Sequence, residues 1–120
     1  METTKSFKDL FVYQKAYELC LDIYLLTKSF PKEEIYTMVS QMRRAALSIP
    51  SNIAEGYRRK SRKEYVQFLH IAYGSCAELY TQLSLSKDLK YAPEEKSSKL
   101  TNDLNLISIS LYKMIVSLEK

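Results

Sequence analysis

All five arginines of the chain lie between positions 43 and 64: Arg43, Arg44, Arg58, Arg59 and Arg62. With Lys60 and Lys63 this window carries seven cations against Glu55 and Glu64, a net +5 in a chain whose total is +4. A guanidinium is a planar fork of donors that meets phosphate oxygens two at a time, and lysine adds a compact charge. The chemistry this clustering favours is the holding of phosphate. Arg58 to Lys63 also precede a helix start, where free amides and the helix dipole attract anions. Tyr57 and Tyr65 flank the densest run with surfaces on which an exposed base stacks. If about five of these cations met single-stranded phosphates, binding would weaken with salt at a log–log slope of roughly −3.5. The competing reading is a solvated corner, with Arg43 or Arg44 paired to carboxylates. No base-reading motif accompanies the cluster.

Other reactive side chains do not assemble into catalytic patterns. A nucleophile needs a base within hydrogen-bond reach and a group to orient it, yet the single histidine, His70, sits among helical hydrophobes. Cys20, His70 and Cys76 offer neither zinc spacing nor a Glu-x-x-His pair. Ser48, Ser51 and Asn52 surround Pro50 and are read as partners for backbone groups that the proline frees. No glycine-rich phosphate loop is present. The expectation is a protein that is not an enzyme, with no metal and no cofactor.

The elements that must position the cations are helices. The chain of 120 residues has two glycines, three prolines, no tryptophan and ten tyrosines, a composition suited to long helices joined by short turns. Ser6 to Asp9 resembles a capping box and predicts a first helix over about 7–29, with Leu10, Tyr13, Tyr17, Cys20, Tyr24 and Thr27 inward. Pro31, Glu33 and Glu34 open a second over 32–57, with Ile35, Met38, Met42, Ala45, Ile49, Ile53 and Tyr57 inward, a kink at Pro50, and Gly56 as its closing residue. Ser61 to Glu64 is a complete capping box for a third helix over 61–89, within which Gly74 is read as permitting close approach by a neighbour. Pro93 opens a fourth over 93–118, with Leu100, Leu104, Ile107, Leu111, Met114 and Leu118 along its seam.

These patterns predict an all-α, antiparallel up-down-up-down four-helix bundle occupying residues 1–120 as one domain. A second apolar row on the fourth helix, Leu106, Ile109, Tyr112 and Val116, exceeds what one core needs. Together with Leu19, Leu21 and Leu26 on the first helix, it points to a subunit interface, against the alternative of a broad internal core. Cys20 and Cys76 lie in apolar helical patterns and favour reduced thiols and a cytoplasmic setting. No membrane span is expected, and the charged stretch Met1 to Lys8 does not resemble a signal peptide.

Four segments then carry a family resemblance. Asp9-Leu10-Phe11-Val12-Tyr13-Gln14-Lys15-Ala16 resembles the opening of the 23S rRNA-intervening sequence proteins. Ser40 through Ala46, continuing from Ser48 to Gly56, resembles that family's central signature, as do Ser61-x-Lys63-Glu64-Tyr65 with Phe68-Leu69, and Gly74-Ser75 through Leu83. Tyr13 stands where tryptophan is common, and Thr37-Met38 replaces a usual glycine-leucine pair. The resemblance implies a bundle that assembles as a ring-like homopentamer. It extends to accessory proteins of diversity-generating retroelements, whose implied partners are nucleic acid and a reverse transcriptase. The functional expectation is a non-catalytic oligomeric module binding RNA or DNA at the corner between the second and third helices. The alternative is a protein-interaction scaffold without direct nucleic-acid binding.

Overall fold

Ser61 begins the best-determined helix start of the molecule. Its hydroxyl accepts from the Glu64 amide at 3.1 Å and donates to the Glu64 carboxylate at 3.2 Å, so Ser61 caps the helix as its sequence signal predicts. The computed structural model describes residues 6–120; the beginning of the charged stretch read from Met1, residues 1–5, lies outside the described residues. Four helices follow one another: α1 Phe11–Thr27, α2 Ser40–Tyr57, α3 Arg62–Asp88 and α4 Glu94–Glu119. Ser6 caps a short 3-10 turn, Phe7–Asp9, and α1 starts only at Phe11, four residues later than its sequence signal.

The connection between α2 and α3 is four residues long, residues 58–61, while α2 itself has 18 residues and rises roughly 27 Å. So short a link cannot return to the start of α2, and α2 and α3 therefore lie antiparallel. Each helix packs on its chain neighbours, and α1 also packs on α4, closing the four into a bundle. The whole measures 46 × 25 × 22 Å. Among the described residues no helix is long and apolar enough to cross a membrane.

The inward faces of α2, α3 and α4 follow the expected spacing, with Met42, Ile49, Ile53, Leu69, Leu79, Leu83, Leu104 and Leu111 fully buried, but Ile35, expected inward, is exposed in the π-helical turn that precedes α2. In α1 the stripe departs from expectation in part: Cys20 and Thr27 are buried as expected, but the rest of the face is turned. Val12, Ala16, Leu19, Ile23 and Leu26 are buried, while Tyr17 and Tyr24 face outward. Leu19 and Leu26 thus belong to the internal core and leave the proposed interface set, whereas Leu21 stays exposed. Cys20 and Cys76 are free and buried, and burial pushes the Cys76 thiol up to about 12.

The second helix enters through a 3-10 turn, Lys32–Glu34, and a π-helical turn, Ile35–Val39, before α2 proper. It then continues through Pro50. The proline removes a donor to the Ala46 carbonyl. The neighbouring polar groups serve a different carbonyl: the Asn52 amide donates to Ser48 O at 2.7 Å and to Ser48 Oγ at 2.9 Å. Ser75 of α3 donates to the same Ser48 hydroxyl at 2.8 Å, so this polar group joins α2 to α3.

Neither glycine has the role expected of it. Gly56 has no left-handed φ and lies within α2, where an added Cβ would stand 2.8 Å from Phe68 Cβ and 3.2 Å from the Tyr65 carbonyl. It allows α2 and α3 to close on one another beside the basic corner. Gly74, expected at a close approach, has nothing within 4 Å of such a Cβ.

Candidate nucleic-acid interface

As α2 ends and α3 begins, the connection 58–61 and the first turn of α3 bring Arg58, Arg59, Lys60, Arg62 and Lys63 to one corner of the bundle. Arg43 and Arg44 precede Arg58 by more than a dozen residues on α2, roughly 20 Å along its axis. The cationic window of the sequence is therefore two places in space, not one. Arg43 is drawn across the α1–α2 seam: its Nε donates to Thr27 Oγ1 at 3.0 Å and its Nη2 to the Tyr24 carbonyl at 3.3 Å, with the guanidinium 4.8 Å from the Tyr24 ring centre. Arg44 donates to Gln41 and pairs with Glu78 of α3. Both act as clasps between helices.

At the corner the cations divide again. Arg59 pairs with Glu55 at 2.8 Å, approaches Glu64 at 4.0 Å and lies over the Phe68 ring at 4.7 Å. Its charge is largely answered within the chain. Arg58 lies 5.2 Å over the ring of Phe7, which the N-terminal 3-10 turn brings to the end of α2. That ring attracts the guanidinium as a cation–π partner and supplies no counter-charge. Among the described residues, Arg58, Lys60, Arg62 and Lys63 have no carboxylate within ion-pair distance, and all four are exposed.

Arg62 and Lys63 also occupy the first two positions of α3. Cations there face the positive end of the helix dipole, an arrangement that disfavours the helix by about 0.3–1 kcal/mol each when nothing anionic compensates. Glu64 is the single acid of that turn.

The two tyrosines do not present open faces side by side. Tyr57 and Tyr65 are half-buried and meet edge to face, 6.1 Å apart at 86°. Burial, with Tyr57 beside it, pushes the Tyr65 phenol up, so that hydroxyl stays neutral. Phe7 and Phe68, which support the arginines, carried no sequence signal of that role. Phe68 reads as an ordinary inward position, and only the fold brings Phe7 to Arg58.

His70 is exposed and stands 3.6 Å from Glu119, away from both cysteines' buried surroundings. Among the described residues, no three side chains of His, Cys, Asp or Glu stand together as a metal site.

Comparison with known proteins agrees with this architecture. The family model described as "23S rRNA-intervening sequence protein" matches residues 8–113. A crystal structure of a protein of unknown function from the S23 ribosomal protein family of Bacteroides thetaiotaomicron superposes with a TM-score of 0.79 at 26% identity, covering 87% of this chain and 97% of that one. No curated protein matches.

Proposed function

The chain belongs to the 23S rRNA-intervening sequence protein family, and from that premise we propose that it is a non-catalytic, oligomeric module that binds RNA or DNA phosphates at the α2–α3 corner. The observation that carries this reading is the set of cations that, among the described residues, have no counter-ion. Arg43, Arg44 and Arg59 are held by partners in the fold, whereas Arg58, Lys60, Arg62 and Lys63 converge on one exposed corner with no carboxylate of the described residues within ion-pair distance. Two of these stand where the helix dipole opposes them. Glu64 answers only part of this, and a phosphate bound at the helix start would restore the balance.

Charge reversal tests it. Arg58→Glu, Lys60→Glu and Arg62→Glu together abolish retention of RNA in a mobility-shift assay at low salt. The same change of charge at Lys28, Lys32 and Lys87, at the opposite end of the bundle, leaves most of it. Equal effects from the two sets would reduce the corner to one part of a diffuse positive surface.

A second reading is favoured by the exposed apolar rows on α1 and α4: a homo-oligomeric scaffold that presents a surface to a protein such as a reverse transcriptase. A protein partner retained after nuclease treatment, with no affinity for RNA or DNA at low salt, would select it.

A further inference from the structure

Resting on the nucleic-acid reading above, we infer that the corner takes a double helix by its phosphate backbone and not a single strand by its bases. The rings at the corner are committed to the protein itself. Tyr57 and Tyr65 pack edge to face on one another, Phe68 lies under Arg59, and Phe7 lies under Arg58 with its flank against Tyr13 at 5.0 Å. Proteins that hold single strands without reading sequence combine a positive groove with aromatic platforms for successive bases. This corner has the charge and lacks the platforms.

The cations are suited to phosphate in another respect. Arg58 lies over the Phe7 ring, 5.2 Å from its centre, and is exposed, so its guanidinium is accessible for two-point contact with a phosphate. Arg58, Lys60, Arg62 and Lys63 come from six consecutive positions, so they form a small dense patch rather than a track. A duplex offers one negative charge for every ~1.7 Å of its axis, about twice the density along either of its strands. A dense patch meets several duplex phosphates at once, whereas a lone strand must fold back on itself to supply as many. Recognition of this kind reads helical shape and backbone, with little sequence preference.

Fluorescence-polarisation titration of the full chain decides the matter, using single-stranded RNA, single-stranded DNA and the RNA and DNA duplexes of one sequence and length. Both duplexes bind about tenfold or more tighter than either strand. Four contacts give a log–log salt slope near −3.6 for each corner engaged on the duplex, against about −2.8 for each on a strand. Either order of affinity between RNA and DNA duplex supports the inference and identifies which duplex is the source. Single strands bound as tightly as duplexes would overturn it while leaving phosphate binding at the corner intact. Failure of all four probes at low salt would remove the nucleic-acid reading itself.

Discussion

Gly56 and Gly74 show how differently one residue type acts inside a helix. Replacing glycine by alanine in a helix normally gains about 0.5–1 kcal/mol, because the unfolded chain loses freedom. At Gly56 that gain is opposed by a Cβ 2.8 Å from Phe68 Cβ and 3.2 Å from a backbone oxygen, neither of which is the movable end of a side chain. Overpacking of this kind costs about 1–3 kcal/mol, so Gly56→Ala is a net loss of about 1–2 kcal/mol in urea unfolding. Gly74→Ala, with open space around it, is a gain of up to about 1 kcal/mol for the lone subunit. A stable Gly56→Ala protein would show that α2 and α3 separate at little cost. Neither outcome was legible in the sequence, where Gly56 reads as a helix end and Gly74 as a contact. Spacing locates a glycine on a helix, but it does not say which helix stands opposite. The same limit governed the arginines. Their clustering between 43 and 64 was plain, yet Glu78, Phe7 and Phe68, which divide them into clasps and free cations, come from other parts of the chain.

Between elements, the far end of the bundle depends on a pair of groups that the sequence did not connect. Glu34 caps the π-helical turn that leads into α2, and it accepts from Thr37 Oγ1 at 2.5 Å, from Tyr91 OH at 2.8 Å and from the Met38 amide at 3.4 Å. Tyr91 lies in the α3–α4 connection and packs on Phe30 at 5.6 Å, so the bond links the two connections at that end. The Thr37 hydroxyl first, and then the Tyr91 hydroxyl, hold the Glu34 carboxyl below its usual range. The carboxylate in turn raises the Tyr91 phenol. A depressed carboxyl contributes stability above its unfolded pKa and loses it as pH falls through the native value. A raised phenol contributes below its own unfolded pKa and loses it as pH rises through the native one. The link is therefore complete between the ordinary carboxylate and phenol ranges, and weakens outside both. In Tyr91→Phe the Glu34 midpoint moves up toward its ordinary value in a carboxyl NMR titration; an unchanged midpoint would assign the depression to Thr37 and Met38 alone. Helix existence and order were readable because caps and prolines are local: Ser61 to Glu64 and Pro93 mark their helices within a residue. The face of α1 was not, since Tyr17, Leu21, Tyr24 and Leu25 are apolar or aromatic yet exposed, and a helix apolar on several sides gives no unique inward stripe.

At the scale of the molecule, that surplus apolar surface is the feature without an internal explanation. On α4, Leu106, Ile109, Tyr112 and Val116 remain 62%, 51%, 56% and 40% exposed, and on α1 Phe11, Leu21 and Leu25 are also open. Completing the burial of a half-exposed aliphatic or aromatic side chain is worth on the order of 1 kcal/mol. Seven of them across one contact yield roughly 7 kcal/mol against an association cost of about 4–15 kcal/mol, so a single such interface is marginal. Different faces joined head to tail form a heterologous contact, and rotation that closes such contacts makes a ring in which each subunit uses both faces. The ring expected from the family resemblance follows the same logic, and it would repeat the α2–α3 corner in every subunit. Repetition raises avidity on one nucleic acid by about 10²–10⁴ without strengthening any single corner. If the proposed ring forms, Leu106→Glu with Ile109→Glu converts it to monomers in sedimentation velocity, with helical circular dichroism unchanged. The monomer loses duplex affinity by on the order of 10²-fold or more. Its salt slope falls to the value for one corner, near −3.6 with four contacts. Wild-type chain that sediments as a monomer at micromolar concentration would separate the corner from assembly. Monomers with undiminished duplex affinity would show that one corner suffices.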